Sequence, residues 1–198
     1  MPDEVSFEDA ILIDSFCSSL HPVIRNFPEE NQKVLVIGAG TIGICTVYAL
    51  RALGFKSKIY TLCKYEFQAE KIKEFSEIIY LKEDYLKKFA EITNSKILKP
   101  IIGKPFLNSG FDLIFECTGS KNMIENSLRW IKPGGKIVLI GTFGILNFID
   151  LTLLWFKEAK LVGTNSSSEE NYLNERKRCY QIAIDLLKNK KISLKELL

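Results

Sequence analysis

Several features that would place this chain in a specialised class of protein are missing from its sequence. The five cysteines are odd in number and scattered, with no Cys-x-x-Cys pair, so neither a disulfide framework nor a zinc ribbon fits. We therefore expect a reducing, cytoplasmic setting. The start "MPDEVSFEDA" is acidic and has no hydrophobic segment, so we expect no signal peptide. No apolar run approaches the ~20 residues of a membrane span, and we expect no membrane partner.

The sequence also lacks a large excess of one charge. Its 27 basic and 24 acidic residues leave a net charge of +3, far below the basic excess of a typical nucleic-acid-binding domain. The apolar fraction of 46% and the charged fraction of 26% are ordinary for a globular protein. A chain of 198 residues is long enough for one substantial domain. We expect a single core and no nucleic-acid partner.

The chain alternates short β-branched runs with longer amphipathic ones, a pattern typical of a parallel sheet flanked by helices. Helices are predicted between the first two strands, ending at Gly54, and over residues 66–75, 121–131 and 171–191. Thr93 to Gly110, with two prolines and two glycines, is predicted to be a long surface connection. The candidate strands are residues 33–38, 57–62, 77–81, 111–117, 135–141 and 159–165. The prediction is an α/β fold with one doubly wound, six-stranded parallel sheet, a Rossmann fold.

The stretch "KVLVIGAGTIGICTVYALRALG" contains a Gly-x-Gly-x-x-Gly motif between a strand and a helix, the setting of a dinucleotide fingerprint. Gly38 would permit the tight turn, Gly40 the approach of a pyrophosphate, and Gly43 close packing of helix on strand. The helix start, with Thr41 and Ile42, would favour phosphate charge. The alternative, a purely structural turn, needs one glycine and not three.

The second half of the fingerprint, a carboxylate about 20 residues on for the ribose hydroxyl, is missing. Cys63 stands at that position, Lys64 follows it, and the first acid, Glu66, lies in the next predicted helix. Because no carboxylate repels a 2′-phosphate and Lys64 can attract it, NADP is favoured over NAD. The open alternative is that Lys64 is solvated and NAD binds through Glu66 or the backbone.

These residues, together with "FDLIFECTGS", "RWIKPGGKIVLIGTFG" and "LTLLWFKEAKLVGTN" in that order, resemble the cofactor domain of the zinc-dependent medium-chain alcohol dehydrogenases (medium-chain dehydrogenase/reductase family). The resemblance covers nearly the whole chain. It implies a crossing segment over residues 1–15, a dinucleotide-binding domain over residues 16–166, and a C-terminal helix over residues 167–198 that leads back toward a catalytic domain.

The resemblance also implies roles for residues near the start of the chain. Asp14 matches the third ligand of the catalytic zinc, a position for which a carboxylate is chemically suitable. Ser18 matches a small hydroxyl residue near the nicotinamide. His21, the only histidine, matches a family position that is not a ligand, so a packed or exposed side chain is expected. Judged from the residues alone, Asp14 would be a helix cap.

Further implied contacts lie where two predicted strands end. Thr118 and Gly119 would face the adenosine side of the cofactor. Cys117 is favoured as a packed residue over a catalytic thiolate, since no histidine lies nearby in sequence. The end of the fifth strand would face the nicotinamide, and the last strand resembles the family's dimer edge, which implies a homodimer or tetramer. The nicotinamide contacts are Ile140, Gly141 and Thr142.

In the family, a preceding domain supplies the remaining zinc ligands, and catalytic zinc needs three protein ligands. This sequence offers only Asp14. We therefore expect an NAD(P)-binding domain from an enzyme that transfers hydride between an alcohol or carbonyl substrate and nicotinamide, with this chain inactive alone. A rival hypothesis is a regulatory module that senses NAD(H). A methyltransferase fits less well, because its glycine loop usually lacks the third glycine at this spacing.

Overall fold

The computed structural model describes residues 5–142, 144–145 and 148–195. Its centre is a six-stranded parallel sheet in the order β3-β2-β1-β6-β7-β8. The sheet strands are β1 (Val34–Ile37), β2 (Ile59–Cys63), β3 (Glu77–Tyr80), β6 (Phe111–Glu116), β7 (Ile131–Leu139) and β8 (Lys160–Gly163). Because the chain starts in the middle and winds outward in both directions, this is the predicted doubly wound Rossmann sheet.

Helices cover both faces of this sheet. They are α1 (Phe7–Ile11), α2 (Ile13–Arg25), α3 (Thr41–Ala52), α4 (Glu66–Glu70), α5 (Tyr85–Thr93), α6 (Lys121–Trp130), α7 (Thr152–Phe156) and α8 (Cys179–Lys188). Along β1, Val34 and Val36 enter one hydrophobic cluster with α2, α3 and α8, whereas Leu35 and Ile37 enter a second with α5 and α6. All four β1 residues are buried, as expected for a strand covered on both faces.

The predicted helix after the glycine loop is confirmed as α3. It ends where expected: Gly54 has φ of +95°, and the N–H of Phe55 donates to the carbonyl of Leu50 at 3.0 Å. Glycine tolerates this left-handed backbone without steric cost, which explains the stop. Among the described helices, none combines the length and apolarity that crossing a bilayer requires.

The bounds of one predicted helix and one predicted strand were wrong. The helix predicted over residues 66–75 stops at Glu70, and the chain continues in single turns such as Phe75 N–H to the Ile72 carbonyl at 2.9 Å. Strand β7 begins at Ile131, earlier than predicted, because Ile131 pairs with Phe111 before the Pro-Gly-Gly turn. The sheet register then resumes at Lys136.

The surface connection predicted from Thr93 to Gly110 contains a short antiparallel hairpin, β4 (Ile97–Leu98) and β5 (Phe106–Leu107). Leu107 is fully buried in the cluster formed with α5 and α6. Leu107, with Ile97 packed against the same cluster, holds the base of the hairpin against the domain. Its connecting residues, 99–105, are exposed except for Pro105, which is half-buried.

The helix predicted over residues 171–191 begins only at Cys179. Before it lies a second hairpin, β9 (Glu169–Tyr172) and β10 (Glu175–Arg178). The two turn residues, Leu173 and Asn174, both have positive φ, of 51° and 64°, as a two-residue hairpin turn requires. Acidic and basic residues face each other across the strands, which stabilises the hairpin over a helix.

The first and last described segments lie side by side. Helices α2 and α8 pack together in one cluster, and the Asp9 carboxylate accepts the backbone N–H groups of Leu194 and Lys195 at 2.6 and 2.9 Å. Helix α2 runs across the predicted domain boundary at residue 15. The outer parts of the predicted terminal segments, residues 1–4 and 196–198, lie outside the described residues.

Candidate cofactor-binding site

The glycine loop joins β1 to α3 at the carboxyl edge of the sheet. Gly38 has φ of +95°, and a Cβ there would lie 2.7 Å from Cγ2 of Thr118. A Cβ on Gly43 would lie only 1.9 Å from the Gly38 carbonyl oxygen, so α3 can approach the loop only with glycine at that position. A Cβ on Gly40 would meet nothing within 4 Å. The loop therefore leaves open space over Gly40, at the start of α3.

That open space suits an anion. Gly40 is the N-cap of the 12-residue helix α3, and Thr41 and Ile42 form its first turn. The first N–H groups of an α-helix have no partner within the helix, and the helix dipole adds partial positive charge there. A pyrophosphate placed over Gly40 would meet these donors.

A cavity of about 520 Å³ opens beside the loop. Five of the predicted cofactor residues line it: Gly38, Gly40, Cys63, Lys64 and Thr118. Sequence reasoning did not single out four other lining residues, Gln68, Leu81, Ser120 and Met123. They come from three segments, since Gln68 lies on α4, Leu81 follows β3, and Ser120 and Met123 lie at the start of α6, so no local motif marked them. The cavity therefore extends from the phosphate loop across the ends of β1, β2 and β6.

The tip of β2 carries a thiol where a dinucleotide fingerprint has a carboxylate. Cys63 is buried, its Sγ donates to the Tyr65 carbonyl at 3.1 Å, and burial raises the pKa of its thiol. It is therefore neutral at physiological pH. Lys64 is exposed, with Nζ 5.0 Å from the centre of the Tyr65 ring. Glu66 is also exposed, and its carboxylate accepts a hydrogen bond from Nζ of Lys82 at 2.6 Å. This contact lowers the pKa of Glu66.

A buried carboxylate that the sequence analysis missed shapes the neighbouring loop. Glu116, at the end of β6, accepts the N–H of Thr118 at 2.9 Å, the N–H of Gly119 at 3.1 Å and the Thr118 hydroxyl. Burial raises the pKa of Glu116 above its usual value, and these hydrogen bonds offset only part of the rise. No sequence signal set Glu116 apart, because β6 also contains a second acidic residue, Asp112. Glu116 thus fixes the turn that presents Thr118 to the cavity.

The loops after β6 and β7 touch through their backbones. A Cβ on Gly119 would lie 2.3 Å from the Thr142 carbonyl oxygen, and one on Gly141 would lie 2.2 Å from the Gly119 nitrogen. The N–H groups of Ile140 and Gly141 donate to the Glu116 carbonyl at 2.9 and 3.0 Å. The structure therefore brings the predicted adenosine-side and nicotinamide-side segments together.

Cys117 is half-buried, with its Sγ 3.6 Å from the Thr46 hydroxyl. Burial raises the pKa of this thiol far above physiological pH. A thiol in that state is a poor nucleophile, so the environment favours packing over a catalytic thiolate.

Asp14 and Ser18 lie on α2. Leu12 is the N-cap of this helix, so the alternative interpretation of Asp14 as its cap is wrong. The exposed Asp14 carboxylate accepts the Tyr180 hydroxyl, and Ser18 Oγ donates to the Asp14 carbonyl at 3.2 Å. Across residues 5–142, 144–145 and 148–195, no three His, Cys, Asp or Glu side chains are grouped to hold a metal. These residues do not form a zinc site by themselves.

His21 is buried and packed. Its Nδ1 lies 2.5 Å from Glu170, whose carboxylate also accepts Nε of Arg25 at 3.1 Å. This buried contact attaches the β9–β10 hairpin to α2. The sequence analysis expected either a packed or an exposed side chain for His21, and the structure confirms the packed one.

A sequence model of the family described as zinc-binding dehydrogenase matches residues 41–189. Sorbitol dehydrogenase from Bos taurus is 26% identical over 197 residues, covering this whole chain and 50% of that enzyme. The chain thus spans about half the length of the curated relatives it matches.

Two solved structures share the fold. One, a zinc-binding dehydrogenase from Sinorhizobium meliloti 1021 bound to NADP, has a TM-score of 0.73 at 18% identity, covering 98% of this chain and 52% of its own. The other, described as a short chain alcohol dehydrogenase from Escherichia coli CFT073 with NADH, has a TM-score of 0.76 at 20% identity, covering 99% and 52%. With the fold and the family match in agreement, this chain belongs to the zinc-binding dehydrogenase family.

Proposed function

We propose that this chain is the cofactor-binding part of an NAD(P)-dependent, zinc-dependent alcohol dehydrogenase. The observation that carries the proposal is the cavity of about 520 Å³ between the glycine loop and the tip of β2. Its length along the strand ends and its helix N-terminus suit a dinucleotide. In the parent protein, hydride would pass between an alcohol or carbonyl substrate and the nicotinamide.

The proposed cofactor pose follows from the sheet. The pyrophosphate lies over Gly40 against the first turn of α3, where the N–H groups are free to donate. The adenosine enters the cavity beside Cys63 and Thr118. The nicotinamide extends toward Ile140, Gly141 and Thr142, and Ser18 is the hydroxyl residue proposed to lie near it. In this pose the contact between the two loops fixes the separation of the cofactor's two halves.

We propose further that NADP binds more tightly than NAD. At the β2 tip the Cys63 thiol is neutral. Among the described residues, no carboxylate forms an ion pair with Lys64. Glu66, the residue that could serve NAD, is already paired with Lys82 at 2.6 Å. The charge of Lys64 is thus available to an anionic group, which favours a 2′-phosphate. The two structural neighbours carry NADP and NADH, so the fold accommodates either cofactor.

Zinc belongs to the proposal only through the family and through Asp14. When bound in the parent protein, zinc would polarise the substrate oxygen. The exposed Asp14 carboxylate at the start of α2 is the proposed third ligand, with the other ligands outside the described residues. Because those residues hold no ligand set, we propose that this chain alone binds the cofactor without turning over substrate.

The same framework suggests how copies of the protein associate. Strand β8 is the last strand of the sheet, and its outer edge has no partner strand among the described residues. Next to it, Trp155 and Phe156 on α7 are 78% and 61% exposed. We propose that two copies pair along β8, which would cover this edge. Sedimentation equilibrium measures the mass; a monomer at all concentrations would contradict the pairing.

The cytoplasmic setting rests on the scattered cysteines alone.

The test is calorimetric titration of the chain with NADP, NAD and S-adenosylmethionine. We expect NADP to bind more tightly than NAD, and S-adenosylmethionine not to bind. Lys64→Ala should raise the Kd for NADP about tenfold and leave that for NAD unchanged, since one exposed charge-assisted hydrogen bond is lost. Lys56→Ala, an exposed lysine at the opposite edge, is the matched control. NAD binding as tight as NADP would refute the preference, and alcohol oxidation by the chain alone would refute its inactivity.

A further inference from the structure

The β4–β5 hairpin has an apolar tip that points into solvent. Ile101 and Ile102 are 104% and 90% exposed. Pro100 and Pro105 flank them and limit the conformations of the connection. Single exposed apolar residues are common on protein surfaces, but two adjacent and fully exposed isoleucines at a projecting tip are not explained by packing. In water this tip contributes nothing to the core.

The charge around the tip has one sign. Between Asn94 and Gly110 the sequence has three lysines, Lys96, Lys99 and Lys104, and no acidic residue. The chain as a whole is nearly balanced, with 27 basic and 24 acidic residues. In the described part of the chain, no ion pair involves these three lysines. Their charge is therefore available to an external anionic surface.

We propose that this tip inserts into the interface of a membrane that contains anionic lipids. Ile101 and Ile102 would enter the boundary between headgroups and acyl chains, while Lys99 and Lys104 contact the phosphates and carboxylates of the headgroups. A small apolar insertion binds weakly alone, as does a small basic cluster, and stable attachment usually needs both. The hairpin supplies the two together. This surface attachment needs no membrane span, and it departs from the expectation of no membrane partner, which rested on the lack of a span.

The position of the hairpin leaves the cofactor site open. The hairpin precedes β6, so it lies toward the amino edge of the sheet, whereas the glycine loop follows β1 at the carboxyl edge. In a parallel sheet these edges are on opposite sides. A membrane bound at the tip would therefore not cover Gly40 or Thr118. The proposal stands independently of which dinucleotide binds.

The experiment is co-sedimentation of the chain with two kinds of vesicle, phosphatidylcholine alone and phosphatidylcholine mixed with phosphatidylserine. We expect binding only to the mixed vesicles, decreasing as salt is added because the headgroup attraction is screened. The double variant Ile101→Ser/Ile102→Ser and the charge variant Lys99→Glu/Lys104→Glu should each lower the bound fraction at least tenfold. Circular dichroism would verify that both variants are folded.

Two controls match these changes elsewhere on the surface. Ile11→Ser alters an isoleucine that is 68% exposed on α1. Lys190→Glu/Lys191→Glu makes the same change in net charge beyond α8. Both should bind the mixed vesicles like the unaltered chain. Equal binding to both kinds of vesicle, or full binding by either tip variant, would overturn the proposal. If the tip variants lost self-association of the chain but not vesicle binding, the tip would contact a second copy of the chain. That result would also overturn the proposal.

Discussion

Lys157, at the end of α7, is a buried lysine without a carboxylate partner among the described residues. Its side chain is 2% exposed, and its Nζ donates to the carbonyls of Arg129 and Ile131 at 3.1 and 2.6 Å. These carbonyls lie at the C-terminal end of α6, where a cation interacts favourably with the helix dipole. Burial nevertheless lowers the pKa of Lys157 from 10.5 to about 8. We predict that this lysine makes folding stability depend on pH.

The sign follows from proton binding. Below about pH 8 the lysine is protonated in both the folded and the unfolded chain, and it adds no pH dependence. Between a pKa of about 8 and 10.5, the unfolded chain binds more protons, so the free energy of unfolding rises with pH. Over the full interval the gain is about 3 kcal/mol, from about 1.4 kcal/mol per pKa unit. From about pH 7 to about pH 9.5 it is about 2 kcal/mol.

The assay is urea unfolding of the chain and of Lys157→Met at these two pH values. Methionine fills similar volume but cannot titrate or donate to the two carbonyls, so the variant should be less stable at both. The deficit should grow by about 2 kcal/mol at the higher pH. Comparing each variant with the parent cancels other titrating groups, and Lys160→Met, an exposed lysine, should show no such growth. A deficit that is equal at the two pH values would refute the burial argument.

Two further predictions concern the cofactor loops. Gly43→Ala places a methyl group 1.9 Å from the Gly38 carbonyl oxygen, which forces α3 away from the loop. It should cost about 2 kcal/mol or more of stability by urea unfolding and weaken cofactor binding by calorimetry at least tenfold. An unchanged Kd would contradict the close-approach argument. Glu116→Gln gives one amide N–H₂ in place of an acceptor for Thr118 and Gly119, so it should lower stability by about 1–3 kcal/mol. Unfolding identical to the parent would show that the turn does not need the carboxylate.

The sheet could be predicted from sequence because its signal is local. Each strand is a short apolar run that ends at a glycine or a turn, and the strand order follows from the alternation of strands and helices. The two hairpins were missed for different reasons. Residues 171–178 have helical spacing, but the paired charges, such as Glu169 with Arg176 at 2.8 Å, favour antiparallel strands. The β4–β5 hairpin depends on burial of Leu107 by α5 and α6, a tertiary contact that no sequence pattern records.

The site divides in the same way. Gly38, Gly40 and Gly43 could be predicted because a fixed spacing encodes one turn. Glu116 and Lys82 could not, because their roles arise from partners in other segments of the chain. Glu116 looks like an ordinary strand residue until the turn above β6 folds onto it, and Lys82 lies 16 positions from Glu66. Sequence spacing therefore located the phosphate loop, whereas the charge balance that bears on cofactor choice required the structure.

The contact between Asp9 and the backbone of Leu194 and Lys195 has a mechanical consequence. Leu194 and Lys195, which follow Asp9 by 185 and 186 positions, both bind its carboxylate. Any polypeptide that precedes Asp9 or follows Lys195 would therefore leave the domain at the same place. Two adjacent chain segments would then connect the domain to such polypeptide. The domain could rotate about these two segments without distorting its sheet. Asp9→Asn, which keeps the size of the side chain but removes its charge, would weaken the hydrogen bonds to the N–H groups of Leu194 and Lys195. A rotation of this kind would move the whole domain and leave its cofactor cavity unchanged.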